Sequence, residues 1–347
     1  MSGLPHSASH GLNRGLTARS SAAEHESPRA PLRVHAAVDT GARSVNGSPT
    51  ATPRVTVLMP VYNAVRHVEL SVRSILEQTF ENFEFVIIDD GSTDGSTDVL
   101  TRLAAEDARV RLVSRPNTGY IRALNEGLDL ARGEYVARLD ADDLARTDRL
   151  ALQLAALDAD PELVALGAQA GTIDLRGDPI ADAPVPLTHA EIERHHLSGS
   201  SMIHHPAVMM RRNAVEAVGR YQEDLEPCED FDLWLKLAEV GRVANLPQKL
   251  LLKRLHADSA VVSGAAHHAE LVTRIMDATW ARRGLPGRYT HVPVALTNPA
   301  EFFRQWGWMA LRNRSTKVAL RYGLQSLLRQ PLNRDTHRLL FCVVRGY

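Results

Sequence analysis

Four apolar, β-branched runs alternate with three helix-period segments between residues 54 and 143, and no other feature limits the possible folds so strongly. The runs are Arg54-Val-Thr-Val-Leu-Met-Pro60, Phe83-Glu-Phe-Val-Ile-Ile88, Val110-Arg-Leu-Val113 and Gly133-Glu-Tyr-Val-Ala-Arg-Leu139. Between them, Val68, Val72, Ile75 and Leu76 predict a helix over 66–79. Val99, Leu100 and Leu103 predict a second, which Ser96 can cap, and Ile121, Leu124 and Leu128 a third. Strand and helix in this rhythm give a mostly parallel α/β sheet with right-handed crossovers, flanked by helices. Such sheets bind ligands beyond the carboxyl ends of their strands. Two acidic clusters, Asp89-Asp90 and Asp140-Ala-Asp142-Asp143, fall at those ends.

The remainder changes character. Strands are expected over 163–169 and 172–180, with a turn at Arg176-Gly177-Asp178, and over 205–211 and 246–255, the last ending at His256. Residues 231–240 read as a helix with Leu233, Leu237 and Trp234 inward, and from 266 the chain reads as helical with arginines interspersed. Residues 1–53, rich in Ser, Ala, Gly, Pro and His, cannot bury enough apolar surface to offset ordering. The expected organisation is a disordered arm over 1–53, a catalytic domain over 54–265 and a helical, basic C-terminal extension over 266–347.

Composition excludes several classes. With 44% apolar and 23% charged residues the chain is neither collagenous nor wholly disordered. No run approaches the ~18 uncharged apolar residues of a membrane span. Cys228 and Cys342 are too far apart for a CxxC metal or redox site, and a reducing compartment fits them. The first residues lack a basic segment followed by an apolar one, so no secretory signal is expected. The net charge of −1 is unevenly spread: residues 302–347 carry nine Lys and Arg against Asp335 alone, residues 1–54 carry +3, and the body between is acidic.

Three carboxylates within four positions at the end of an apolar strand repel one another unless a cation sits among them. A hard divalent ion takes oxygen ligands, and Mg²⁺ in particular combines one or two carboxylates with substrate phosphates. The competing reading of 140–143 is a solvated turn entering a helix. Asp89-Asp90-Gly91-Ser92 is likewise either a turn capping its own backbone or an acceptor for a base or ribose. Pro60 ends the first strand, and Tyr62 beside it is placed to stack on a base or simply to form a turn. The pairs His195-His196, His204-His205 and His267-His268 do not form HExxH, which argues against a zinc hydrolase.

Taken in order, Pro60-Val-Tyr-Asn63, Ile88-Asp-Asp-Gly-Ser-Thr-Asp94, Asn117-Thr-Gly119, Ala123-Leu-Asn-Glu-Gly127, Leu139-Asp-Ala-Asp-Asp143 and Glu229-Asp-Phe-Asp-Leu-Trp234 closely resemble the family 2 glycosyltransferases, inverting enzymes with a GT-A fold. The resemblance covers residues 54–260. It implies a nucleotide-sugar site at Pro60, Tyr62, Asn63, Asp89 or Asp90, Asn117, Gly119 and Asp140. It further implies Asp142 as the principal ligand of Mn²⁺ or Mg²⁺, with Asp140 and His256 completing the metal or diphosphate site, and Asp230 as the general base. His205-Pro206 resembles a segment beside the acceptor site. The implied activity is transfer of a sugar from a nucleotide-diphosphate sugar to a hydroxyl of a glycan or lipid-linked glycan, in polysaccharide or cell-envelope synthesis.

Alternatives remain in view. A nucleotidyltransferase would need a Gly-rich, basic phosphate loop near the first strand, a dinucleotide dehydrogenase would need GxGxxG there, and neither motif is present. A non-catalytic nucleotide- or carbohydrate-binding protein on the same scaffold would not need Asp140, Asp142 and Asp230. The tail interleaves Phe302, Phe303, Trp306, Trp308 and leucines with arginine, which suits either a helical cap or peripheral contact with an anionic membrane. No nucleic-acid reader motif is present. The expected location is cytoplasmic, either free, where the tail is only a cap, or peripheral on the inner face of the membrane, where the tail binds it.

Overall fold

The computed structural model describes residues 52–256, 265–287, 289 and 298–346. All but the last two residues of the arm expected over 1–53 lie outside the described residues. The first half runs β1 (Val55–Val61), α1 (Val68–Leu76), β2 (Phe83–Asp90), α2 (Ser96–Glu106), β3 (Val110–Arg115), α3 (Tyr120–Leu130) and β4 (Tyr135–Arg138). There follow β5 (Leu144–Ala145), α4 (Arg149–Ala159), β6 (Leu163–Ile173), β7 (Pro179–Ala183), α5 (His189–His196), β8 (Met209–Arg211), α6 (Arg212–Ala217), α7 (Glu229–Val240) and β9 (Arg242–Arg254). Four helices follow: α8 (Ala265–Arg282), α9 (Pro299–Arg312), α10 (Thr316–Arg329) and α11 (Arg334–Arg345).

One sheet holds nine strands in the order β3-β2-β1-β4-β8-β6-β9-β5, with β7 added alongside β6. β3, β2, β1 and β4 are parallel, as the βαβ rhythm requires. Beyond β4 the sheet is mixed, because β8 runs antiparallel to both β4 and β6 while β9 is again parallel to β6. The 205–211 segment is strand only over its last three residues, since Pro206 seats a short 3₁₀ turn over His205–Ala207.

Every residue of β1 and β2 is buried, so their side chains alternate between two apolar layers. Val57, Met59, Phe85 and Ile87 pack with Val72 and Ile75 of α1 and Leu100 and Leu103 of α2. Leu58, Val86 and Ile88 pack on the opposite face with Ile121, Leu124 and Leu128 of α3 and Leu233, Trp234 and Leu237 of α7. Each such side chain contributes about 1.5–3 kcal/mol of burial. The start of α2 differs from the sequence expectation: Gly95 is its N-cap. The Ser96 hydroxyl instead donates to Asp94 Oδ1 (2.6 Å) and accepts from the Ala64 N–H (2.9 Å), tying the β1–α1 loop to the β2–α2 turn.

Two smaller cores attach the C-terminal helices. Leu271, Val272, Ile275 and Met276 of α8 pack with Phe231 and Leu235 of α7. Phe303, Trp306 and Ala310 of α9 join Val318, Ala319 and Tyr322 of α10 and Leu339 of α11 over Ile180 of β7. Arg321 of α10 forms ion pairs with Asp174 and, at 2.7 Å, with Asp178 in the β6–β7 turn.

Candidate active site

The carboxyl ends of β1 and β2 lie side by side, Pro60 paired with Ile88 and Val61 with Asp89. Strand alternation then sends the two neighbouring aspartates to opposite faces. Asp89 accepts from Thr97 Oγ1 (2.5 Å), the Ser92 N–H (3.2 Å) and Ser114 Oγ (3.5 Å), groups of the first turn of α2, the β2–α2 turn and β3. Asp90 points to the α3 side, where it pairs with Arg115 and accepts the N–H groups of Thr118 (2.8 Å) and Gly119 (3.0 Å). It thereby fixes the 115–119 loop against the end of β2. Gly91, at φ +75°, is required here, because a Cβ would lie 2.6 Å from the Asn117 nitrogen.

This loop and the end of β1 enclose a cavity of about 250 Å³. Pro60, Tyr62, Asp90, Asn117 and Gly119 line it, together with Tyr120 and Glu226, which the sequence reading did not select. Asn63 stands beside this group in the left-handed region, at φ +50°. Its side chain accepts the Thr93 N–H (2.8 Å) and its own N–H donates to Ser92 Oγ (3.0 Å). Asn63 and Asp89 therefore hold loops together; Pro60, Tyr62, Asp90, Asn117 and Gly119 face one space, and Asp140, the remaining candidate, lies outside its lining in the second acidic cluster.

The second acidic cluster is built differently. β4 stops at Arg138, and a turn closed by the Asp143 N–H to the Asp140 carbonyl (3.3 Å) crowds three carboxylates together. One oxygen from each of Asp140, Asp142 and Asp143 lies within 4.8 Å of the others. Asp143 accepts the Arg254 N–H through Oδ1 (2.7 Å), but its buried Oδ2 has no hydrogen-bond partner among the described residues. Burial, then the charges of Asp140 and Asp142, push the Asp143 carboxyl well above the usual carboxylate range. Burial also opposes ionisation of Asp142, yet its hydrogen bond to His256 Nε2 (3.0 Å) and the nearby Arg254 hold it below that range. Arg254 further donates to the Asp142 carbonyl (2.9 Å) and the Asp174 carbonyl (2.8 Å). Three crowded carboxylates, one of them with an oxygen lacking a donor among the described residues, beside an imidazole form a donor set that fits Mg²⁺ or Mn²⁺.

Arg138 joins the two places. It is 1% exposed in the middle of the sheet, and its guanidinium donates to the Tyr120 hydroxyl and pairs with Asp140 at 2.5 Å. Tyr120 is also a wall of the cavity, so a single buried cation connects that wall to the first aspartate of the cluster. A second buried arginine, Arg149, fixes the backbone around it by donating to the carbonyls of Arg138 (2.8 Å), Pro206 (2.8 Å) and Val208 (3.1 Å). Burial and then the Arg138 charge lower the Arg149 pKa to about 9. A charged residue inside a buried strand, one step before an acidic turn, is the signal that could have identified Arg138 from sequence.

Asp230 stands in the first turn of α7, a position that favours a carboxylate. Its Oδ1 accepts the Phe231 N–H (2.6 Å). Burial raises its pKa; the Phe231 N–H, Lys253 and Arg138 oppose the rise, and Asp140 adds to it. The last two connect Asp230 electrostatically to the acidic turn. Its neighbour Glu229 is pushed up to about 8, first by burial and then by the Asp230 charge. Glu229 Oε1 lies 3.9 Å from His205 Nδ1, and His205 Nε2 is bonded to the Tyr221 hydroxyl (2.8 Å), so both residues belong to a buried polar layer behind Asp230.

Residues 56–219 match the family model described as glycosyl transferase family 2. An uncharacterized glycosyltransferase of Haemophilus influenzae is 32% identical over 216 residues, covering 59% of this chain and 67% of that protein. The putative glycosyltransferase EpsE of Bacillus subtilis is 33% identical over 216 residues, covering 60% and 75%. The chondroitin synthase of Pasteurella multocida is 30% identical over 210 residues, but the match spans 21% of that longer protein. Among solved structures, residues 1–349 of S. aureus TarS in complex with UDP-GlcNAc share the fold, with a TM-score of 0.53 at 17% identity over 84% of this chain and 92% of that one.

Proposed function

Because this chain belongs to glycosyl transferase family 2, we propose that it moves a sugar from a nucleotide-diphosphate sugar to an acceptor hydroxyl with inversion at the anomeric carbon. The observation that supports this reading is the buried bridge from Tyr120 through Arg138 to Asp140, which links a wall of the cavity to the acidic turn. The nucleotide occupies the cavity between Pro60, Tyr62 and Asp90, and the diphosphate extends past Asn117 and Gly119 toward Asp140. Asp142, Asp140 and His256 would hold a divalent cation, Mg²⁺ or Mn²⁺. Such a cation stabilises, as a Lewis acid, the negative charge that builds on the leaving diphosphate.

Asp230 serves as general base. Its carboxylate takes the proton of the acceptor hydroxyl as that oxygen bonds to the anomeric carbon and the bond from this carbon to the diphosphate breaks. Burial raises its pKa toward the working pH and so strengthens it as a base, while Arg138 and Lys253 keep the charged form accessible. Glu229, held protonated by burial, leaves Asp230 as the ionised member of the pair. The relative named chondroitin synthase supports a glycan as acceptor. A lipid-linked glycan at the inner face of a membrane, which the basic C-terminal helices touch peripherally, is the setting we assign. Catalysis is assigned to residues 54–265, with 266–347 as an extension.

Asp230→Asn tests the assignment. Turnover with UDP-, GDP- and dTDP-sugar donors should fall by about 10²–10⁴-fold with donor affinity retained. Turnover equal to the parent would remove Asp230 from the role, and a product retaining the donor's anomeric configuration would overturn inversion.

A further inference from the structure

The helices α9, α10 and α11 present a surface that the chemistry above does not use. Six of the thirteen large apolar side chains exposed among the described residues fall between positions 320 and 344. Leu320, Leu324 and Leu328 recur every fourth residue along α10 and so form one stripe, and Phe341 and Val344 form another on α11. The two helices touch where Leu340 packs on Gly323, one residue from each stripe. Leu332, in the connection between them, is 91% exposed. These side chains are not left over from a poor core, because Val318, Tyr322 and Leu339 on the opposite sides of the same helices are buried.

Cations surround the stripes. Lys317, Arg334, Arg338 and Arg345 have no carboxylate at ion-pair distance among the described residues, nor does Arg312 of α9. Arg312 and Arg338 line a cleft of about 470 Å³ between α9 and α11 with Gln305, Trp308, Met309 and Asp335, the last paired with Arg304 at 3.2 Å. Arg338 lies over the Trp308 ring at 5.9 Å and Arg345 over the Phe341 ring at 4.5 Å. Aliphatic and aromatic groups edged by unpaired guanidinium groups match a layer whose surface is anionic and whose interior is hydrocarbon. A second copy of the chain would bring the same positive charge against this face. A nucleic acid would satisfy the cations but leave the leucines in water. No helix among the described residues is long and apolar enough to cross a membrane, so the face lies on its occupant rather than through it.

We propose that the α10–α11 face, with the arginine-lined cleft beside it, docks on the surface of an anionic phospholipid bilayer. Leucine, phenylalanine and valine enter the headgroup–acyl boundary and the guanidinium groups bind lipid phosphates. The proposal rests on the membrane setting assigned above but not on the reaction at the carboxylates, and its test uses no turnover, so either can fail without the other. The full chain should co-sediment with phosphatidylglycerol-containing vesicles, not with pure phosphatidylcholine vesicles, and should be released by salt. Leu328, Leu332 and Val344 are 83–91% exposed, so the triple variant L328E/L332E/V344E keeps the core intact. It should show the parental melting temperature and a partition coefficient lowered by about tenfold or more. A second variant, R334E/R345E, should lose the preference for anionic lipid. Parental chain remaining in the supernatant, equal partitioning of both variants, or a parental oligomer that the triple variant dissolves would each overturn the proposal, the last by assigning the face to self-association.

Discussion

Acidic clusters stand at the ends of β2 and β4 and do opposite work. At β2 every carboxylate oxygen is supplied: Asp89 by two hydroxyls and an N–H, Asp90 by a guanidinium and two N–H groups. Asp89 only builds loops, and Asp90 fixes the 115–119 loop while it lines the cavity. At the end of β4 three carboxylates share too few donors, and the most buried of them keeps one oxygen bare. The contrast shows that an aspartate's neighbours, rather than its place at a strand end, decide whether it shapes a wall or awaits a ligand. A buried charge already neutralised has little left to offer, whereas an under-supplied cluster is stabilised by whatever positive ion enters it.

Stability measurements break the comparison most directly. Asp90→Ala removes a buried partner of Arg115 and of two N–H groups, and should cost about 3–5 kcal/mol in denaturant unfolding. Asp143→Asn removes a charge the fold holds at a disadvantage, and in a chelator should change stability by less than about 1 kcal/mol or raise it. Equal losses would erase the distinction. Next in size is activity: Asp142→Ala should lower turnover by about 10²–10³-fold and abolish the rise in melting temperature that Mn²⁺ is expected to give the parent. The last prediction concerns Glu229. Its folded pKa of about 8 stands above its ordinary value of 4.5, so the unfolded chain releases its proton first as pH rises. The native state therefore loses stability from about pH 4.5 up to about pH 8 and no further. Glu229→Gln should flatten that part of the melting-temperature profile; an unaltered slope would place the titration elsewhere.

The parallel half of the fold was legible because its strands are continuous apolar runs and its helices carry a clean 3.6-residue period. The choice between Asp89 and Asp90 was not, although they differ only in strand parity, because parity becomes a direction only once α3 is known to cover the Val86–Ile88 face. Arg149 and Arg254 escaped for a related reason. Arg149 is held entirely by uncharged oxygens, three of them backbone carbonyls, and Arg254 bonds the carbonyls of Asp142 and Asp174 as well as offering its own N–H to Asp143. Backbone carbonyls have no letter in the sequence. Tyr120 likewise reads as a helix start until Arg138 is seen beneath it. The mixed second half was expected as a mixed region, but its β8 strand is shorter than the apolar run that announced it, since the run opens with a proline turn.

Asp174 has a consequence for anyone who would rebuild this protein. Its side chain takes Arg321 from α10 while its carbonyl takes Arg254, which also grips Asp142 and Asp143. A chimera that exchanges the C-terminal helices for those of a relative would sever this shared joint. Grafts should therefore carry the β6–β7 hairpin with the helices as one cassette, with the splice made on the far side of residue 174.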